Sequence, residues 1–213
     1  MQSVMDKIGE LKVVPVVAIQ DAADADGLAE ALLKGGLPCA EITLRTAAAQ
    51  EAIRRVARHK DMLVGAGTVL KVEQVKAAID AGAEFIVAPG LNPKVVQFCL
   101  SQDIPVTPGV CNPTDIEMAL DLGLKILKFF PAEAAGGIKL LKAVCAPYNM
   151  VKFIPTGGIG PANLADYLKH PKVFACGGSW MVKSDMIAQG RFDTIERLTR
   201  EAVELVQTAV TAD

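Results

Sequence analysis

The chain has 213 residues, 51% hydrophobic and 22% charged, enough apolar material for a sizeable core without disulfide or metal staples. A net charge of −2 with both signs interspersed offers no basic field for nucleic acid and no polybasic anchor for lipid. No apolar run approaches the roughly 20 residues of a membrane span, and MQSVMDKIGELK lacks the apolar block of a signal peptide, so the chain reads as cytoplasmic, without nucleic-acid or membrane partners.

The chain begins with a helical stretch, Val4 to Leu11. Short β-branched runs then alternate with alanine-rich helical stretches at a spacing of roughly 20 to 27 residues, the pattern of repeated βα units. Eight strands are expected, near Val13 to Ile19, Pro38 to Arg45, Met62 to Gly67, Phe85 to Ala88, Ile104 to Thr107, Leu124 to Phe129, Val151 to Pro155 and Val173 to Cys176. Between them lie stretches such as Ala22 to Gly36, with Leu28, Leu32 and Leu33 at helical spacing, and Leu164 to His170. Gly35, Gly36, Gly82 and Gly123 follow helical stretches, where left-handed caps are expected.

Eight such units in one undivided domain predict an α/β (β/α)8 TIM barrel whose extra amino-terminal helix covers the bottom. An open doubly wound sheet is the second choice, weakened because VVPVVAIQDAAD has no GxGxxG turn. A barrel places its chemistry at the carboxyl ends of the strands.

The second strand, CAEITLRT, has period two: Glu41, Thr43 and Arg45 share one face, and Ala40, Ile42 and Leu44 the other. The apolar face must meet the helices. Glu41 and Arg45 are therefore expected inside the barrel, where a carboxylate and a guanidinium are costly unless they serve each other or a ligand. The sixth strand, LKILKFFPAE, sets Lys128 among Ile126, Leu127, Phe129 and Phe130 near its carboxyl end, where desolvation favours the neutral, nucleophilic amine. Lys125 lies at the start of that strand on the opposite face, and Lys152 lies toward the bottom, so Lys128 is the catalytic candidate.

The last two strands end in PTGGIG and CGGSW. Paired glycines let backbone N–H groups approach an anion, and these strand ends form the usual phosphate cradle of a barrel. Thr156, Gly157, Gly158, Gly177, Gly178 and Ser179 are the expected phosphate ligands. Thr68, past the third strand, and Pro89, ending the fourth, join Arg45 and Phe130 as candidates for the carboxylate end of a substrate; Thr68 could equally be a helix cap.

His59 and His170, the only histidines, each follow a helical stretch and read as solvated helix ends, which leaves Ser-His-Asp chemistry and a His-ligated metal without parts. No metal site is expected. Cys39, Cys99, Cys111, Cys145 and Cys176 are widely spaced and include no CxxC pair, and read as reduced thiols.

Together CAEITLRT, VGAGTVL, APGLNP, PGV, LKFFPAEAAGG, PTGGI and GGSW resemble the 2-keto-3-deoxy-6-phosphogluconate/4-hydroxy-2-oxoglutarate (KDPG/KHG) aldolase family, in order and spacing from about Val13 to Trp180. The resemblance implies a class I aldolase with Lys128 as Schiff-base lysine, Glu41 as general acid/base, and Arg45 and Thr68 holding the pyruvate portion. It also implies a homotrimer, a place in the Entner–Doudoroff pathway and no cofactor. KHG or the galactonate epimer of KDPG is the alternative substrate. A phosphate-binding isomerase or a non-catalytic barrel would share the glycine turns without needing an amine.

Overall fold

The computed structural model describes residues 3–211. Helix α1 (Val4–Leu11) is capped by Ser3, which accepts from the Asp6 N–H while the Asp6 carboxylate accepts from the Ser3 N–H. It ends at Lys12 in a left-handed turn that feeds β1 (Val13–Val17). The expected helix from Ala22 is a 3-10 turn at Ala22–Asp24 followed by α2 (Ala25–Lys34). There follow β2 (Cys39–Thr43), α3 (Ala49–Val56), β3 (Leu63–Gly67), α4 (Val72–Asp80), β4 (Phe85–Val87) and α5 (Pro93–Ser101). The fifth strand comes in two pieces, β5 (Val106–Thr107) and β6 (Gly109–Val110), either side of Pro108. Next come α6 (Pro113–Asp121), β7 (Ile126–Phe129), α7 (Ala132–Ala135), α8 (Gly137–Cys145), β8 (Lys152–Pro155) and α9 (Leu164–Leu168). The last elements are β9 (Cys176–Gly178), α10 (Ser184–Ala188) and the long α11 (Phe192–Thr211).

All the strand pairings are parallel. Six strands form a curled sheet in the order β5-β4-β3-β2-β1-β9, and three more form β6-β7-β8. Single bridges, Phe153 to Val173 and Thr156 to Gly177, tie the β8 segment to the β9 segment. Several strands are shorter than their apolar runs suggest. The last is displaced, occupying Cys176–Gly178 where Val173–Cys176 was expected, because Val173 makes only an isolated bridge.

The period-two alternation sorts the strand side chains into two apolar cores. Val13, Val17, Ala40, Ile42, Val64, Ala66, Leu127 and Phe129 join the helices in the larger one. Val14, Cys39, Leu63, Phe85, Val87 and Ile154 form the smaller inner one, which Ile8 of α1 plugs at 2% exposure. The amino-terminal helix thus covers the amino ends of the strands. Ile195, Ala202 and Val206 of α11 are buried in the larger core, and Phe192 and Leu198 pack against it. Gly36, Gly82 and Gly123 have positive φ, as expected of caps, but Gly35 is right-handed at φ −74°. Gly35 serves packing instead: a Cβ there would stand 2.6 Å from Thr199 of α11.

Candidate active site

Glu41 lies on the inner face of β2 at 3% exposure, and Lys128 on the inner face of β7 at 6%. Lys128 Nζ stands 3.4 Å from Glu41 Oε1 and 5.2 Å from the centre of the Phe130 ring. An ion pair removed from water this fully recovers its desolvation only partly through mutual attraction. Such an arrangement is a mark of a functional site more than of a stabilising one. Gly67 opposite makes room for the carboxylate, since a Cβ there would lie 2.2 Å from Glu41 Oε1. Beneath the pair a narrow apolar space is lined by Ile8, Val14, Phe85, Val87 and Ile154, with Thr107 and Thr156. The competing lysines stand apart: Lys125 is exposed just before β7, and Lys152 is exposed at the amino end of β8, over the ring of Phe174.

Arg45 departs from expectation. Strand β2 ends at Thr43, and Arg45 lies beyond it, exposed, with its Nε donating to Thr43 Oγ1 at 3.0 Å. The Thr43 hydroxyl in turn donates to Val17 O at 2.6 Å. A backbone bond from Arg45 N–H to Thr43 O at 2.8 Å turns the chain and breaks the period-two alternation, leaving the guanidinium in water, where it is cheapest. Its side chain lines a cavity of about 170 Å³ together with Val16, Phe130, Thr156, Ile159 and the two glycine pairs.

That cavity brings together all the glycine-turn residues expected from sequence: Thr156, Gly157, Gly158, Gly177, Gly178 and Ser179. Gly157 and Gly158 have φ of +99° and +81°, a left-handed pair that side-chain-bearing residues rarely adopt. Among the described residues, no backbone carbonyl accepts from the N–H of Gly158, Ile159, Ser179 or Trp180. Unpaired N–H groups on successive turns form an anion-binding concavity. Thr156 lines both this cavity and the space around Lys128, so the two adjoin. Val16 and Ile159 were not legible as site residues, because aliphatic side chains carry no chemical signal of their own.

Thr68 is half-buried with φ +57°, one of three residues other than glycine with positive φ among those described. It is not a helix cap, since α4 starts at Val72 with Lys71 at its N-cap. A β-branched residue in this conformation stores backbone strain, which concentrates at functional sites. Pro89 follows β4 directly after Ala88, and its carbonyl would collide at 2.1 Å with a Cβ on Gly109. The broken fifth strand therefore depends on a glycine to pass it.

The histidines are less solvated than expected. His59 is part-buried, with Nε2 3.1 Å from Asp26 Oδ1, and His170 is part-buried, with Nδ1 accepting from Lys172 N–H at 3.3 Å. His59 reaches across to Asp26 near the start of α2, whereas His170 accepts from the backbone two residues along its own loop. Cys39, Cys99, Cys145 and Cys176 are buried, and burial pushes the Cys99 thiol up to about 11 and the Cys176 thiol up to about 12.

Residues 4–198 match the family described as KDPG and KHG aldolase. The 2-dehydro-3-deoxy-phosphogluconate aldolase of Haemophilus influenzae is 49% identical over 97% of this chain and 98% of its own length. The crystal structure of the 2-keto-3-deoxy-6-phosphogluconate aldolase of Zymomonas mobilis with 3-phosphoglycerate superposes with a TM-score of 0.89 at 42% identity, covering 93% of this chain and 94% of that one. The KDPG aldolase of Legionella pneumophila, with pyruvate captured at low pH as a covalent carbinolamine intermediate, gives a TM-score of 0.90 at 37% identity, covering 94% and 98%. With a buried lysine and carboxylate beside a glycine-lined cavity, and likeness along nearly its whole length, this chain belongs to the KDPG and KHG aldolase family.

Proposed function

We propose that this protein is a class I aldolase that reversibly cleaves 2-keto-3-deoxy-6-phosphogluconate to pyruvate and glyceraldehyde 3-phosphate. The observation that carries the reading is the buried Lys128 amine 3.4 Å from the Glu41 carboxylate, beside the glycine cavity. Glu41 takes a proton from the Lys128 ammonium, the neutral amine adds to the C2 carbonyl of the keto acid, and Glu41 returns that proton to the departing hydroxyl, so that water leaves and an iminium remains. Glu41 then takes the C4 hydroxyl proton, directly or through a water. The C3–C4 electron pair flows into the iminium, releasing the aldehyde and leaving an enamine of pyruvate on Lys128. Protonation at C3 and hydrolysis of the imine free pyruvate and the lysine. The sequence is balanced without a metal or an organic cofactor.

Arg45 and Thr68 hold the substrate carboxylate, with Pro89 and Phe130 walling the pyruvate portion. Thr156, Gly157, Gly158, Gly177, Gly178 and Ser179 hold the phosphate, and this remote binding orients the bond to be broken. The two sheets are read as one single-domain (β/α)8 barrel. Supporting this are the β1 to β9 pairing, the Pro108 hinge between β5 and β6 and the bridges from β8 to β9. The assembly is taken to be a homotrimer in the cytoplasm, serving the Entner–Doudoroff pathway.

The test is incubation with pyruvate and sodium borohydride, followed by mass spectrometry, with Lys128→Ala as control. A 1-carboxyethyl group on the Lys128 amine, the product of reducing the pyruvate imine, is expected and is absent from the variant. No adduct in folded protein, or one on another lysine, overturns the assignment. Relative kcat/KM for KDPG, its galactonate epimer and 4-hydroxy-2-oxoglutarate then ranks the substrates.

A further inference from the structure

The motif that carries Lys128 continues into Pro131, Ala132 and Glu133, and Glu133 has no part in the chemistry above. Its Oε1 accepts a 2.5 Å hydrogen bond from the hydroxyl of Tyr167 in α9, a ring only 1% exposed. The Glu133 N–H donates to Gly157 O at 3.0 Å and the neighbouring Ala132 N–H to Thr156 O at 2.9 Å. A Cβ on Gly158 would stand 2.6 Å from the Glu133 Cβ. On the other side, Gly137 leaves room for the bond: a Cβ there would be 3.0 Å from Glu133 Oε1 and 3.6 Å from the Tyr167 hydroxyl.

The consequence falls on the glycine turn. Three successive carbonyls are taken, Thr156 by Ala132, Gly157 by Glu133 and Gly158 by Asn163 Nδ2 at 3.0 Å. The N–H groups of Gly158 and Ile159 are left without a backbone acceptor, available to an anion. The turn joins β8 to α9, whereas Glu133 follows the strand that carries Lys128. The Glu133–Tyr167 bond therefore indexes the anion-binding turn to the nucleophile. Burial first, and then the carboxylate, push the Tyr167 hydroxyl above its usual range, so it stays a donor at working pH.

We propose that Glu133 and Tyr167 are a positioning pair that sets the Gly157–Gly158 turn for a phosphate monoester and so determines preference for phosphorylated over unphosphorylated keto acids. The inference rests on the aldolase reading and on phosphate occupying the glycine cavity. Neither side chain lines that cavity: Tyr167 acts through Glu133, and Glu133 through its N–H bond and Cβ contact with the turn. A keto acid held at both ends must span a fixed distance between turn and amine, and one lacking the phosphate has no such requirement.

The test compares the full-length protein with Tyr167→Phe, Glu133→Ala and Glu133→Gln, using KDPG, 4-hydroxy-2-oxoglutarate and calorimetric titration with inorganic phosphate. Tyr167→Phe and Glu133→Ala are expected to raise KM for KDPG about tenfold and to weaken inorganic phosphate by a similar factor. Their kcat should stay within about threefold, and kcat/KM for 4-hydroxy-2-oxoglutarate within about twofold. Glu133→Gln, which keeps an oxygen to accept from Tyr167, should restore the wild-type KM. Equal losses on both substrates, or an unchanged KM for KDPG, overturn the proposal. Should the wild type turn over neither substrate, it is the aldolase reading that fails. Phosphate titration then still decides the pair, and equal affinity in wild type and variants overturns it. If Tyr167→Phe does not fold, the contrast between Glu133→Ala and Glu133→Gln carries the test.

Discussion

The two ends of the parallel strands are built on opposite terms. At the amino ends, Ile8 seals an inner core of Val14, Leu63, Phe85, Val87 and Ile154, with no charged side chain among them. At the carboxyl ends stand a buried ion pair and a left-handed threonine, and an adjoining cavity lined by two left-handed glycines and a solvent-facing arginine. The floor gains stability from apolar burial, whereas the mouth holds groups that cost stability wherever no ligand or partner group repays them. Separating the two lets one set of strands carry both, because period-two alternation and strand length decide independently what faces inward at each end.

The largest expected effect breaks the mouth alone. Glu41→Gln keeps the side-chain volume and removes the proton acceptor, and kcat for keto-acid cleavage should fall by about 10²–10⁴ in steady-state assays. A fall of less than about threefold would take Glu41 out of the chemistry. The floor answers differently. Ile8→Ala should lower unfolding free energy by about 2–4 kcal/mol in urea titrations, with kcat and KM within about twofold of wild type. A matching loss of kcat would mean that the floor sets the geometry of the amine. The smallest effect sharpens the contrast from the other side. Thr68→Gly relieves a left-handed backbone and should raise stability by about 0.5–1 kcal/mol, while KM for the keto acid increases. Among the described residues the Thr68 hydroxyl has no hydrogen-bond partner, so a gain in stability with unchanged KM would leave that residue without a role in binding.

Much of this site was legible in the chain. The inward face of Glu41 follows from the apolar positions on either side of it, and Lys128 stood out because a lysine among Leu127, Phe129 and Phe130 near a strand end has few other reasons to be there. The glycine pairs declared themselves by position. The inward orientation expected of Arg45 fails because the alternation that locates Glu41 stops at Thr43, and a turn made by one backbone hydrogen bond leaves no mark in residue type. The fifth strand was read short for a related reason: Pro108-Gly109 looks like an ending, yet the strand resumes past it with a new neighbour, β7.

The sequence by itself determined the alternation of strands and helices, the inward face of Glu41 and Lys128 and the choice of Lys128 as the candidate nucleophile, since all three follow from local periodicity and side-chain chemistry. Only the tertiary structure decided which groups meet. It brought Glu41 from β2 to within 3.4 Å of Lys128 on β7, set Arg45 on the wall of the glycine cavity, and joined Glu133 to Tyr167 across 34 residues. Contacts between distant segments are set by the curl and closure of the sheet and by the space each neighbour leaves, and no stretch of local sequence encodes that space.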